Sequence, residues 1–422
     1  MEPNPELRRT KLLKAVFPVD EPAVTAPPLR VLMISAAGEL GGAERSFCEV
    51  ITALPREKIE PHACVPPDSQ LARALASAQV PVHEVALRLF RRSLHPLALA
   101  GNVRALYQGS RSIAEVCRKA GIEMLHANTN SAALVGWEVA RMTKLPFVWH
   151  CRDMAPLHGL ARILASSAAA VVAISAAVEE QLMREGVKRE KITRIDNGID
   201  LGRMSRSGLY DAVRAQMRAK LGIQAHRPVL LSVGAYVPWK KHELFLDALA
   251  LVRRRLPAVG LLVGSDRFGQ NEAYVASLRM RARHLALNDD ALKVLDERED
   301  VPDLMAASDV FVSCSENEPF GRVLTEAGAS GLPVVATRSG AKPEIIADQV
   351  TGILTEPGDA AALAAACLKL LGDPALRQEM GRAAQERVEK LFDVRRAARE
   401  LTALFQRCAA QRQAGPRVPP TR

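Results

Sequence analysis

From Leu29 onward the chain alternates short apolar runs with amphipathic or Ala-rich stretches. LRVLMIS, HACV, PVHEV, IEMLHA, PFVWH and AVVAIS form a first series of expected strands, with helical patterning between them. After the loop at 197–207 comes a second series: PVLLSVG, VGLLVG, LKVL, DVFVSCS, LPVVAT and TGILTE. Strand and helix patterns that alternate in this way predict parallel strands with crossover helices. The expected fold is α/β, with two doubly wound, Rossmann-like halves facing each other across a cleft. Open parallel sheets bind their ligands beyond the carboxyl ends of the strands. His126, His150, Ser175, Gly234 and the segment from Ser315 to Glu318 close such runs, which gathers polar groups at one cleft.

Composition supports this picture and narrows the partners. A chain of 422 residues is too long for one ordinary core, and 48% hydrophobic with 25% charged residues is the balance of a packed globular protein. The formal charge of +10 favours anionic partners such as nucleotides, phosphorylated lipids or membrane surfaces. The densest basic region holds Arg88, Arg91, Arg92, Arg104, Arg111, Arg118 and Lys119 against the single acid Glu115. It is read either as an anionic-surface contact or as a solvated helical face. Nucleic acid is excluded as the expected partner, because only 4% of residues are aromatic and no stacking or helix-turn-helix signature accompanies the charge. Seven scattered cysteines, none in a C-x-x-C pair, imply neither a disulfide framework nor a zinc site. With no signal peptide and no spanning run, the expected location is cytoplasmic, with a peripheral station at the inner face of a membrane as an option.

The stretch GELGGAERSF follows the first strand and has the look of a phosphate loop. A dinucleotide fingerprint needs G-x-G-x-x-G and an acid after the second strand. Gly38, Gly41 and Gly42 have the wrong spacing, and the second strand runs into prolines. What remains is that Gly41 and Gly42 let the backbone approach a ligand at the start of a helix. In the second half, SENEPFGRVLTEAGASGLPVVAT places Glu318 and Glu326 eight residues apart. If a helix opens between them, the carboxylates lie up to roughly 12 Å apart at about 1.5 Å rise per residue. A retaining glycosidase needs its pair roughly 5 to 5.5 Å apart, so this pair suits two points along an elongated ligand. Amides near Phe320, Gly321, Arg322 and Val323 then offer a phosphate site.

EPFGRVLTEA followed by GLPVVAT resembles the retaining glycosyltransferases of family four, which have the two-domain GT-B fold. The similarity runs through residues 30 to 405. It implies a nucleotide-sugar donor, with Glu326 on the ribose hydroxyls and Glu318 near the transferred sugar. VGAYVPWKKHELFLDAL resembles the family segment whose lysine, here Lys240, pairs with the donor diphosphate after Gly234. IDNGID, with Asn197, is similar to the N-G-x-D stretch before the interdomain hinge. His150 in FVWHCRD matches a histidine near the anomeric carbon, and GELGGAE matches the loop that closes on the donor phosphates. His126, Arg152 and Asp153 are acceptor candidates; Arg152 and Asp153 could equally form an ion pair, and Ser175 could simply cap a helix.

The implied organisation is a Pro-rich, basic extension over 1–28, an acceptor-side domain over 29–203 and a nucleotide-sugar domain over 204–391. A helix over 392–410 crosses back to the first domain, and a tail covers 411–422. Two departures stand out. Ala235 replaces the arginine of the family's VGR, with Lys241 or Arg322 as expected substitutes, and Ala341 replaces the second glycine before Glu344. The resemblance implies hexosyl or N-acetylhexosaminyl transfer with retention onto a glycan or lipid-linked acceptor, in cell-surface glycan or glycolipid synthesis. It implies no cofactor and no metal, and no D-x-D motif is present. An epimerase or phosphorylase on the same fold, or a non-catalytic nucleotide or glycan binder, are the alternatives.

Overall fold

The structure, a computed structural model, describes residues 27–87, 96–204, 209–266 and 269–413. Most of the 1–28 extension, Arg88, Arg91 and Arg92 therefore lie outside the described residues. The N-terminal half forms an all-parallel sheet of seven strands: β1 (Leu29–Ile34), β2 (Ile59–Val65), β3 (Val82–Glu84), β4 (Met124–Asn128), β5 (Phe147–Cys151), β6 (Ala170–Ala173) and β7 (Ile192–Arg194). Their spatial order is β3-β2-β1-β4-β5-β6-β7. The second half repeats the plan with β8 (Val229–Val233), β9 (Val259–Val263), β10 (Leu292–Leu295), β11 (Val310–Ser313), β12 (Val334–Thr337) and β13 (Gly352–Thr355). Here the order is β10-β9-β8-β11-β12-β13. Every apolar run named above forms a strand. β7 is additional, an edge strand in which only Ile192 is buried, so it carries no apolar run to read.

In both sheets the order reverses beside the first strand, between β1 and β4 and between β8 and β11. A crevice opens at such a switch point because successive crossovers leave toward opposite faces. The segments after β1 and β5 in the first sheet and after β8 and β11 in the second carry Gly42, Arg152, Lys240 and Glu318, all of which line the cleft between the sheets.

The two halves are joined in three ways. One apolar cluster runs from Leu32, Ile34 and Trp149 through Ile199, Met204 and Phe392 to Val229, Phe311 and Leu324. The chain crosses between domains twice, and the crossings hydrogen-bond each other: Ile199 N donates to Phe392 O at 2.8 Å and Val394 N to Ile199 O at 3.0 Å. A Cβ at Gly198 would overlap the Val394 backbone, so only glycine lets these strands meet. Finally, the helix Val394–Gln413 leaves the second domain and packs on the first. Ala398, Leu401 and Phe405 are fully buried there against Val31, Met33 and Phe47. This helix continues to Gln413, beyond the boundary at 410 read from the sequence.

No helix among the described residues is long and apolar enough to cross a membrane. In the basic helix Pro96–Ala120, Arg118 and Lys119 share Glu115 at 3.9 and 2.8 Å, while Arg104 and Arg111 are exposed.

Candidate functional site

A cleft of about 470 Å³ lies between the carboxyl ends of the two sheets and is lined from both domains. The segment after β11 builds one wall. Gly321, at φ +100° and ψ 55°, occupies the left-handed region that glycine tolerates, and the turn it makes starts the helix Arg322–Ala329. Glu318 precedes that helix and Glu326 lies one turn inside it, as the spacing requires. Both carboxylates line the cleft, together with Phe320, Gly321 and Arg322.

Each carboxylate has its own cation. Lys240 Nζ donates to Glu318 Oε2 at 2.7 Å. Lys240 ends the short 3-10 turn Pro238–Lys240 and lies over the Trp239 ring, 4.2 Å from its centroid. The Lys240 stem crosses the end of β8 beside Gly234, where a Cβ would meet its Cδ at 3.4 Å, an ordinary contact. Burial pushes the Glu318 carboxyl up, but Lys240, Ser315 and Lys342 overcome it, so the group ionises more readily than a free glutamate. The loop behind is clasped tightly. Ala341 N donates to Glu318 O at 2.9 Å, and a Cβ at Gly340 (φ +58°) would overlap the Glu318 backbone. Gly340 is thus the glycine this turn requires, whereas Ala341, at φ −78°, sits where a Cβ fits.

Arg322 Nε donates to Glu326 Oε1 at 2.8 Å. Its other nitrogens reach across the cleft to Glu49 on the helix Gly42–Ala53, at 2.8 and 2.5 Å, and to Ser46 Oγ at 3.2 Å. Burial and the neighbouring Glu49 raise the Glu326 pKa, against the attraction of Arg322. Arg322 therefore lines the cleft but is already committed to two carboxylates. Lys241, the other expected substitute for the absent arginine, points to Glu316 at 3.8 Å and is not part of the cleft lining. Neither residue is placed as a spare cation beside Ala235.

The N-terminal domain contributes Gly42, Ala43, Arg45, Ser46, Arg152, Asp153 and Asn197 to the lining. Gly41 is the N-cap of the helix Gly42–Ala53 and lies just outside it, whereas a Cβ at Gly42 would meet nothing within 4 Å. Arg152 is held by Asn128 and Asn197: its Nε donates to Asn128 Oδ1 and its NH1 to Asn197 Oδ1 at 2.6 Å. Asp153 is not its ion-pair partner and instead accepts from Asn130 Nδ2 at 2.7 Å.

His126 and His150 are placed otherwise than expected. They bond each other at 3.0 Å, and His126 packs between Phe47 and Phe405 in the core beneath the terminal helix. His150 is still inside β5, so its side chain faces that core and lines only a small side cavity with Val394, Ala397 and Leu401. Arg152, just past the strand end, is the residue that turns into the cleft. Burial and Arg152 hold both histidines neutral, His126 down to about 3. Neither ring is part of the main cleft lining, although the side cavity that His150 lines shares Ser46, Arg152 and Asn197 with it.

Two further contacts were invisible in the sequence because they cross between domains. Ser175 Oγ accepts from Val178 N at 3.1 Å, the expected cap, and donates to Pro319 O at 2.6 Å. Glu344 accepts from Ala176 N and Ala177 N at 2.7 and 3.0 Å and from Arg194 at 2.9 Å. A carboxylate is favourably placed at a helix N-terminus, and here it ties one domain to the other.

The sequence matches the model described as Glycosyltransferase Family 4 over residues 40–203 and that described as Glycosyl transferases group 1 over 213–387. The chain belongs to the glycosyltransferases of this family. Among its relatives, N-acetyl-alpha-D-glucosaminyl L-malate synthase of Bacillus anthracis is 33% identical over 42% of this chain and 45% of its own length. The match thus spans about half of that relative. The lipopolysaccharide core biosynthesis glycosyltransferase LpsE of Rhizobium meliloti is 26% identical over 83% of this chain and 91% of its own. Among solved structures, Anabaena HepE in complex with UDP and glucose superposes with a TM-score of 0.77 at 26% identity, covering 90% of this chain and 99% of its own. The GT-B arrangement of the chain is thus that of its structural neighbours.

Proposed function

We propose that the protein is a retaining glycosyltransferase that moves a sugar from a nucleoside diphosphate sugar to an acceptor hydroxyl. The observation that carries the reading is the pairing of Lys240 with Glu318 and of Arg322 with Glu326 on one wall of a cleft at the carboxyl ends of both sheets. In this reading Glu326 accepts the ribose hydroxyls. Lys240 moves its charge from Glu318 to the donor diphosphate, and Glu318 then takes the hydroxyls of the transferred sugar. Lys240 and the amides at the start of the Arg322 helix stabilise the charge that grows on the leaving group. In this reading the departing phosphate oxygen accepts the acceptor's proton as the donor's anomeric C–O bond breaks, and His150, outside the main cleft lining, takes no part in the proton transfer. Side-chain cations, rather than a metal ion, balance the diphosphate. The first donor to try is UDP-glucose, since HepE was solved with it. The acceptor, glycan or lipid-linked, enters beside Asp153, and the exposed basic helix Pro96–Ala120 is the surface that would meet an anionic membrane.

The test is incubation of the pure protein with a panel of nucleotide sugars, followed by chromatography of the products. Slow release of free nucleotide and sugar is the expected result. Release of an epimerised sugar, or binding without turnover, would replace the transferase reading with an epimerase or a binding protein.

A further inference from the structure

The cleft cations are not equivalent. Lys240, Arg298 and Arg322 are each in an ion pair, with Glu318, Asp300 and Glu326 respectively. Arg45 and Arg152, both from the N-terminal domain, form no ion pair among the described residues. Arg152 is only 6% exposed, and its three polar neighbours, Asn128, Asn197 and His150, are all uncharged. A guanidinium this deeply buried without a bonded carboxylate carries a desolvation cost that the nearby Glu44, which does not bond it, offsets only in part. The two asparagines fix its fork rather than neutralise it, so its charge stays directed at the cleft. Arg45 is half-buried, feels Arg203 and Arg322 as repelling neighbours and Glu326 and Glu297 as weaker attracting ones, and makes no side-chain hydrogen bond among the described residues. Opposite them, Ala235 offers only a methyl group, and its carbonyl is taken by His242 Nε2 at 3.1 Å.

We infer that Arg45 and Arg152 bind the diphosphate of the donor and supply, from the N-terminal domain, the cation that Ala235 does not supply from the C-terminal one. This inference rests on the nucleotide-sugar reading above. A guanidinium suits the task because its planar fork can meet two phosphate oxygens at once. The consequence is a leaving-group site divided between domains. Lys240 and the helix amides hold the diphosphate from one side, and Arg45 and Arg152 reach it from the other. Full stabilisation of the departing charge then exists only while the domains are closed, which protects the donor from water until both halves meet.

The experiment is calorimetric titration of UDP and of uridine into the full chain and into Arg45→Gln, Arg152→Gln and the double variant Ala235→Arg/Arg152→Gln. The expected result is a loss of at least tenfold in UDP affinity for each single variant, uridine affinity unchanged, and recovery of most of the UDP affinity when arginine is placed at 235. A merely structural role for Arg152 would weaken both ligands alike and would not be rescued from the other domain, and that outcome overturns the inference. UDP affinity within twofold of the parent in both single variants would also overturn it. So would inorganic phosphate that binds the UDP-saturated protein and loses that binding in Arg152→Gln, because the anion site would then serve the acceptor. If the parent chain itself binds no nucleoside diphosphate, the functional reading falls and the inference with it.

Discussion

Glu318 and Glu326 lie eight residues apart on one wall yet shift in opposite directions, Glu318 toward the charged form and Glu326 toward the neutral one. The difference is in their partners: Lys240 serves Glu318 undivided, whereas Arg322 is shared with Glu49. These carboxylates and Lys240 were legible in the sequence because each falls at a fixed offset within a contiguous segment. The histidines were not, since a strand's period of two puts His150 and Arg152 on the same face until the strand ends, and where it ends is a property of pairing. The buried pair has its own signature in acid. A histidine whose folded pKa is lowered contributes stability that is present above the unfolded value, near about 6.5, and is lost as pH falls toward the folded one. For His126, held down to about 3 by burial, the window runs from there to 6.5. His126→Gln is therefore expected to make the fall of unfolding free energy between pH 6.5 and 4 shallower, by up to about 1.4 kcal/mol per pH unit. Urea titrations across that range check this, and an unchanged slope would mean that His126 is not held neutral.

At the scale of elements, the terminal helix does more than close the chain. Leu401, Leu404 and Phe405 fill one face of the first sheet beneath the helix Gly42–Ala53, so the N-terminal domain borrows part of its core from the far end of the sequence. Leu401→Ala is expected to cost about 2 to 5 kcal/mol, the range for a buried leucine removed without collapse of its surroundings. A loss below about 1 kcal/mol in denaturant unfolding would show that the helix is an appendage. The strands and their parallel arrangement were legible because fully covered strands are apolar throughout. β7 was not, because an edge strand with one buried residue has no such run. Ser175 illustrates the same limit: the helix cap could be read locally, whereas its bond to Pro319 O could not.

Over the whole molecule, the described arrangement is a closed one. Arg322 with Glu49 and Ser46, Ser175 with Pro319 and Glu344 with the amides of Ala176 and Ala177 all bridge the domains at the cleft and its flank. The first of these holds Glu326, so a ligand that takes Glu326 also perturbs the bridge to Glu49. Donor binding and domain closure are therefore coupled through one arginine, and a nucleotide entering the cleft acts on both. That cleft being a nucleoside diphosphate site anchored by Glu326 is the central claim, and calorimetric titration of UDP into the parent chain and into Glu326→Ala tests it most directly. The account predicts a saturable exothermic isotherm for the parent and its loss in the folded variant. Equal affinity in the two proteins would contradict it.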